Sequence, residues 1–159
     1  TGSFIKYTGS EEVSTKWYIK DGVAKKKGEP PSKSYAFNVV SETWELDLSD
    51  AKSRAWDRIK LKRQADERNT FTWDGNTFQC DEQSQRKLML TMQRAQNDSS
   101  LSMAWTLADN TVKTFSAADY INIGIAMSTH VDACHTKAKD LRTKINAATT
   151  QNELDGITY

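Results

Sequence analysis

The feature that most constrains this chain is its longest periodic stretch, residues 116–148. Ser116-Ala117-Ala118-Asp119 has the form of a helix start, a serine to cap the first free N–H groups and an acid three residues on to reach back. From there Tyr120, Gly124, Met127, Val131, Cys134, Ala138, Leu141, Ile145 and Ala148 recur at alternating steps of four and three. That is a heptad seam, and Ile121 and Ile125 widen it near its start. The opposite face carries Lys137, Lys139, Asp140, Arg142 and Lys144 and belongs to solvent. Unbroken by proline, such a helix spans roughly 48 Å at ~1.5 Å per residue. A compact chain of 159 residues has a radius of gyration of about 15 Å. The helix therefore projects, bends at Gly124, or finds a long partner. That partner is either another helix of the same chain or a second copy, and in the second case Val131, Leu141 and Ile145 are the expected interface residues.

The rest of the chain reads as strands and shorter helices. Residues 17–24 have the form of a hairpin around Asp21-Gly22, followed by a lysine-rich loop and the stiff Pro30-Pro31 pair. Residues 35–40 and 43–46 read as two more strands, so that residues 16–47 form a small antiparallel meander. A helix capped by Ser49 or Asp50 follows, with Ala51, Ala55, Trp56, Ile59 and Ala65 as a narrow apolar face among interleaved acids and bases. A second hairpin turns at Asp74-Gly75 or Gly75-Asn76, and Asp81 caps a helix with Leu88, Met92 and Ala95 inward. A third hairpin turns around Ala108-Asp109-Asn110 and leads into the long helix. Thr150-Gln151-Asn152-Glu153 is a capping box for a last short helix. The expected fold class is α+β: a small N-terminal antiparallel β meander, then helices alternating with β-hairpins and one long C-terminal helix with a heptad seam. The expected division is an arm and meander over 1–48 and a helix/hairpin domain over 49–159.

Charge and composition narrow the function. The 22 Lys and Arg against 21 Asp and Glu leave a formal net charge of +1, without the basic excess of a nucleic-acid binder. No apolar run is long enough to cross a bilayer, so no membrane insertion is expected. The first residues lack the basic and apolar regions of a secretion leader, and Thr1 is what loss of an initiator Met leaves, so a complete mature chain made in a cytosol is expected. Cys80 and Cys134, distant in sequence, read as reduced buried thiols.

No catalytic group emerges. His130, Cys134 and His135, with Cys80 elsewhere, are the nearest to a metal set, but paired close ligands such as CxxC are missing and Cys134 sits in the seam, so neither metal nor other cofactor is expected. Cys134 and His135 are adjacent on a helix and point about 100° apart, which is wrong for a nucleophile and its base. No phosphate-binding loop, dinucleotide fingerprint or nucleophile elbow is present. The expectation is a non-enzyme that works by assembly. Phe4, Ile5 and Tyr7 would serve as an apolar arm, and Trp17 and Trp44 as contacts of the meander. Tryptophans scattered along a chain more often pack than stack on ligands, but Trp73 and Trp105, on hairpins, are the pair expected to meet a glycan if any do.

Certain strings carry a resemblance: Ala55-Trp56-Asp57-Arg58-Ile59-Lys60 with Arg63, Phe71-Thr72-Trp73-Asp74-Gly75 leading to Asp81, Trp105-Thr106-Leu107-Ala108-Asp109-Asn110-Thr111, His130-Val131, and Ala147-Ala148-Thr149-Thr150 with Glu153-Leu154-Asp155. Through them residues 52–157 resemble a domain of unknown function that recurs in tailed-bacteriophage tail and tail-fibre-associated proteins. Pro30-Pro31, Tyr35-Ala36-Phe37 and Thr43-Trp44 are similar to the short lead-in often attached to such domains. The resemblance implies a structural part of the virion tail, near the baseplate or fibre attachment point. The implied partners are other tail or fibre proteins, with homo-oligomers, trimers above all, as in fibres. It carries no catalytic residue. Two alternatives remain: a fibre-assembly chaperone absent from the mature virion, and a host-surface recognition module.

Overall fold

Residues 16–159 are described by a computed structural model. They run β1 (Trp17–Lys20), β2 (Val23–Lys26), β3 (Tyr35–Asn38), β4 (Thr43–Leu46), α1 (Leu48–Glu67), β5 (Thr70–Trp73), β6 (Asn76–Gln79), α2 (Glu82–Asn97), β7 (Ser102–Thr106), β8 (Val112–Ser116), α3 (Ala117–Ala147) and α4 (Gln151–Asp155). The fold class is α+β. Each successive strand pair is antiparallel and forms its own two-stranded sheet.

Local chemistry sets most of these elements. Asp21-Gly22 and Asp74-Gly75 turn with both residues at positive φ, the geometry of a tight hairpin turn matched to strand twist. Asp81 caps α2 by accepting from the Gln83 and Ser84 N–H groups. Ser116 with Asp119 opens α3, and Thr150 with Glu153 opens α4, both as complete capping boxes. Boundaries differ from the sequence reading in places: β2 takes in Lys25 and Lys26 of the expected lysine-rich loop, paired with Tyr18 and Trp17. Asp47, not Ser49 or Asp50, caps α1, because its carboxylate reaches the Asp50 N–H and adds a turn upstream. β3 ends at Asn38 instead of reaching Val40, because the Asn38 side chain accepts from the Val40 and Ser41 N–H groups and draws the chain into its turn.

The seam of α3 is occupied within the chain. Its first half packs on α2 and its second half on α1. Lys52 reaches the Asn146 carbonyl at 2.6 Å, whereas His130 meets the Asp66 carbonyl at 2.9 Å, so α1 runs antiparallel to α3. Gln85 donates to the carbonyls of Glu67 and Cys80, joining the end of α1 to the start of α2. Two short helices thus lie end to end along one long one. Of the three arrangements open to a helix of this length, the chain uses intramolecular cover.

Two apolar cores result. The first gathers Phe71, Phe78, Leu88, Leu101, Trp105, Phe115, Tyr120 and Ile123 from β5–β8, α2 and the start of α3. The second gathers Ala51, Ala55, Ile59, Leu141, Ile145 and Leu154 from α1, the end of α3 and α4. Full burial of an aliphatic or Phe side chain contributes about 1.5–3 kcal/mol. Ile123 is wholly buried, whereas Ile125, expected to widen the seam, is 56% exposed. The β5–β8 hairpins cover the flank of α3 on the Ile123 side, so the buried arc there is turned away from Ile125. Val131 is only half-buried, between the part of α3 that serves α2 and the part that serves α1. At Gly124 a Cβ would fall on the Met92 sulfur, so the absent side chain is what lets α2 approach.

Hairpins β5–β6 and β7–β8 do not merge into one sheet. One backbone bond from Ala108 N–H to the Thr77 carbonyl (2.9 Å), side-chain bonds from Gln79 Nε2 to the Leu107 carbonyl (3.0 Å) and from Lys113 Nζ to Asn76 Oδ1, and the packing of Trp73 and Phe78 on Phe115 join them. The expected N-terminal meander is likewise two separate hairpins, with no ladder between β2 and β3.

Candidate interaction site

What joins the two N-terminal hairpins is a side chain. Glu42 lies in the β3–β4 turn at φ +59°. Its carboxylate is 2.7 Å from Lys20 Nζ, accepts from the Tyr18 hydroxyl at 2.8 Å, and accepts from Lys25 at 3.1 and 3.2 Å. The bond from Lys20 first, then those from Tyr18 and Lys25, hold the Glu42 carboxyl down at about 2. Burial, more than the carboxylate beside it, raises the Tyr18 phenol above its ordinary value. Beside this clasp, Tyr18, Phe37 and Trp44 pack in a row, with ring centres 4.8 and 5.2 Å apart. Trp44 also donates its indole N–H to the Lys27 carbonyl.

The clasp turns one face of β1–β2 inward and leaves the other bare. Strand alternation puts Tyr18 and Lys20 toward Glu42 and Trp17 and Ile19 away from it. Ile19 is 70% exposed, and Trp17 and Val23 are exposed as well. Val39 and Val40, in the other hairpin's turn, are also exposed. Lone exposed apolar residues are ordinary, and these five do not all share one face: Trp17 and Ile19 lie on the bare side of β1, whereas Val23 pairs with Lys20 on the clasped side.

The residues expected to carry function divide sharply. Phe4, Ile5 and Tyr7 lie outside the described residues. Trp17 is open to solvent, whereas Trp44 is tied into the packing of its own hairpin pair. Of the side chains named for a self-association seam, Leu141 and Ile145 belong to the second core and are covered by α1, whereas Val131 is half-buried and in neither core. Trp73 and Trp105 do not share a surface. Trp73 lines an open recess of about 380 Å³ with Asp74, Asn76, Lys113 and Asp119. Trp105 lines a second one, of about 290 Å³, with Gln79, Asp81, Ser84, Lys87 and Thr106. The exposed strip on β1 and the Trp105 recess were missed as units from sequence; strand alternation around Tyr18 was the signal for the first.

The titratable cluster of α3 is drawn into packing between helices. His130 Nε2 is taken by the Asp66 carbonyl and His135 Nε2 lies 3.1 Å from Glu67. Arg63 Nε and Glu67 Oε1 are 2.8 Å apart and shut off from solvent, at ion-pair distance but off the hydrogen-bond line. The Tyr159 hydroxyl donates to the Cys134 carbonyl. Among the described residues no three His, Cys, Asp or Glu side chains gather as a metal site, and no helix is long and apolar enough to cross a membrane. Burial also pushes the Cys80 thiol up, which disfavours its thiolate.

The two cores and everything between them coincide with a known sequence family. A family model described as Domain of unknown function (DUF4376) matches residues 50–158, well over half of the chain. The chain belongs to the DUF4376 family. The DUF4376 match begins inside the first turn of α1 and ends beyond α4, so the clasped hairpins precede it. No curated protein and no solved structure matches this DUF4376 chain.

Proposed function

We propose that this DUF4376 protein is a structural part of a bacteriophage tail, an adaptor at the baseplate or fibre attachment point that works by protein–protein assembly in the virion. The tail assignment rests on the resemblance of residues 52–157. The observation that supports an adaptor is the contrast between a body with its seam covered and a hairpin pair with Trp17, Ile19, Val23, Val39 and Val40 bare. In this reading the body is the rigid part and the hairpins are the docking part. Self-association, trimeric in the manner of fibres, falls to the hairpins as well, because Leu141 and Ile145 have no free surface to offer.

Two measurements test it. Mass spectrometry of purified particles from a phage carrying this chain should find it in the tail. Its absence from particles, with co-purification on unassembled fibre protein, would make it an assembly chaperone instead. Light scattering of Ile19→Asp against the unmodified chain reports on the surface. The variant should lose oligomer or tail-protein binding while keeping its melting temperature, since exposed substitutions usually change stability by no more than about 0.5 kcal/mol. Unchanged association would remove the hairpins from the interface.

A further inference from the structure

The β1–β2 hairpin leaves one row of backbone groups unused. Lys27 N–H donates to the Lys16 carbonyl, and bonded and non-bonded pairs alternate along an antiparallel ladder. Tyr18 and Lys20 therefore exchange their bonds with Lys25 and Val23, whereas the N–H and C=O groups of Trp17 and Ile19 point away from β2. No other strand pairs with β1, and these outward groups meet no partner among the described residues. The same two residues carry the apolar side chains of the bare face, Trp17 at 44% exposure and Ile19 still more open. The outer edge of β2 offers only Ala24 and Lys26. Charge is lopsided along this hairpin. Residues 16–27 include Lys16, Lys20, Lys25, Lys26 and Lys27 against Asp21 as their one acid, in a chain whose formal net charge is +1. Glu42 of the neighbouring hairpin takes Lys20 and Lys25 and offsets only one of these charges.

We infer that the outer edge of β1 takes an extended, acidic segment of another polypeptide, which adds to the hairpin as a third strand. The inference rests on the reading of the hairpins as the docking part, and not on the tail assignment. Donors and acceptors at strand spacing are matched by another backbone in the same conformation, so an open strand edge is a template for pairing. A helix has no such row to offer, because its backbone groups are bonded within it. In the added strand every second side chain lies on the bare face beside Trp17 and Ile19, where an apolar group gains cross-strand contact. The lysine excess sets the sign of the charge: it draws an acidic segment toward the edge and repels a basic one. A third strand also gives this hairpin what two strands alone lack, since a two-stranded hairpin is marginal in water.

The test is an NMR titration of the full chain with the end-capped peptide Glu-Val-Glu-Val-Glu-Val-Glu, reading backbone amide shifts and amide exchange. In the free chain the Trp17 and Ile19 amides should exchange fast, and those of Tyr18 and Lys20 more slowly. At saturation the peptide should slow Trp17 and Ile19 by about tenfold or more. Its Kd should be about 1 mM or below and should rise with added salt. Ile19→Pro removes an outward N–H that β2 does not use, a change an edge strand tolerates. It should abolish the peptide's effect on Trp17 while Tyr18 keeps its protection, and Ile19→Val, which retains the N–H, should bind like the unmodified chain. Should the proline variant lose its hairpin, the amides of the unmodified chain decide. Peptide that leaves the Trp17 and Ile19 amides fast overturns the proposal. If Ile19→Asp nonetheless abolishes tail-protein binding, the hairpins dock by their face and not by this edge; if it does not, the docking reading fails with it. Equal binding of Lys-Val-Lys-Val-Lys-Val-Lys overturns the acidic class. Outer amides already slow at every concentration of the free chain give the edge to residues 1–15, and slowing that grows with concentration gives it to a second copy; either result overturns the proposal.

Discussion

Four hairpins of similar length meet two fates in this molecule. β5–β6 and β7–β8 lie under helices, with Phe71, Phe78, Trp105 and Phe115 buried. On the four strands of β1–β2 and β3–β4 Tyr18 is the one buried side chain, and among the described residues only Leu46, at the end of β4, packs on a helical core. An isolated two-stranded hairpin is marginal in water, and only an apolar face packed on something else makes it firm. The body supplies that cover from its own helices. The N-terminal pair substitutes three aromatic rings and one clasped carboxylate, a much smaller hold. The difference separates a part that keeps its shape under its own helices from a part held by a few side chains, which is the part the proposed function assigns to a partner.

The comparison breaks most visibly in the body. Phe78 is wholly buried and stacks on Phe71 at 5.3 Å. Phe78→Ala should cost about 3–5 kcal/mol through lost transfer energy and the cavity left behind. Urea unfolding followed by far-UV circular dichroism should show a lower midpoint at unchanged slope. The matching change in the hairpin pair, Phe37→Ala, should leave that midpoint within ~1 kcal/mol, because Phe37 touches neither core. Equal losses at the two positions would make the hairpins part of one cooperative unit.

Gly124 sharpens the account of the body itself. A Cβ at this position collides with the Met92 thioether, so Gly124→Ala forces α2 and α3 apart or turns Met92 aside. Overpacking of this kind costs typically 1–3 kcal/mol. Helix propensity pulls the other way, since alanine is better than glycine in a helix by about 1 kcal/mol. A net loss is therefore expected. Met92→Ala in the same chain should remove the clash, so the double variant should be more stable than the two single losses predict. A strictly additive pair would place α2 differently against α3.

The parts legible in the sequence are those whose chemistry is local. The Ser116–Asp119 and Thr150–Glu153 boxes, the Asp81 cap and both Asp-Gly turns act within four residues, and each stands where the residues put it. The α+β class and the long helix follow from periodicity, and the extent of the DUF4376 match agrees closely with the stretch on which the resemblance rests. What periodicity does not carry is the partner. A stripe of Leu141 and Ile145 is the same whether α1 or a second copy covers it, and only the meeting of α1 with α3 across some ninety residues, as between Lys52 and Asn146, decides. Ile123, which the seam does not include, is buried and Ile125 is exposed because two neighbours, not one, press on the start of α3. Neither the Glu42 clasp nor the Trp105 recess announces itself, since each joins side chains from separate elements.

The finest test is the clasp. Glu42 holds its proton far more weakly in the fold, at about 2, than at its ordinary 4.5. A carboxyl depressed in this way binds a proton more readily once the hairpins part. Its contribution is therefore complete above about 4.5 and is lost as pH falls from there through about 2. Asp81, Asp119 and Glu153 are lowered in the same direction by their caps, so acid loosens the starts of α2, α3 and α4 too, and a global melting curve blurs the two effects. Amide exchange by NMR separates them. Protection at Tyr18 and Lys20, whose N–H groups face β2, should fall over that pH window, and Glu42→Gln should show the loosened β1–β2 hairpin already at neutral pH, with no further step on acidification and with α1 and α3 unchanged. Protection in β1–β2 that ignores both pH and the substitution would shift the hold on this hairpin from the carboxylate to the Tyr18, Phe37 and Trp44 rings, and would make the hairpin pair more like the body than its exposed surface suggests.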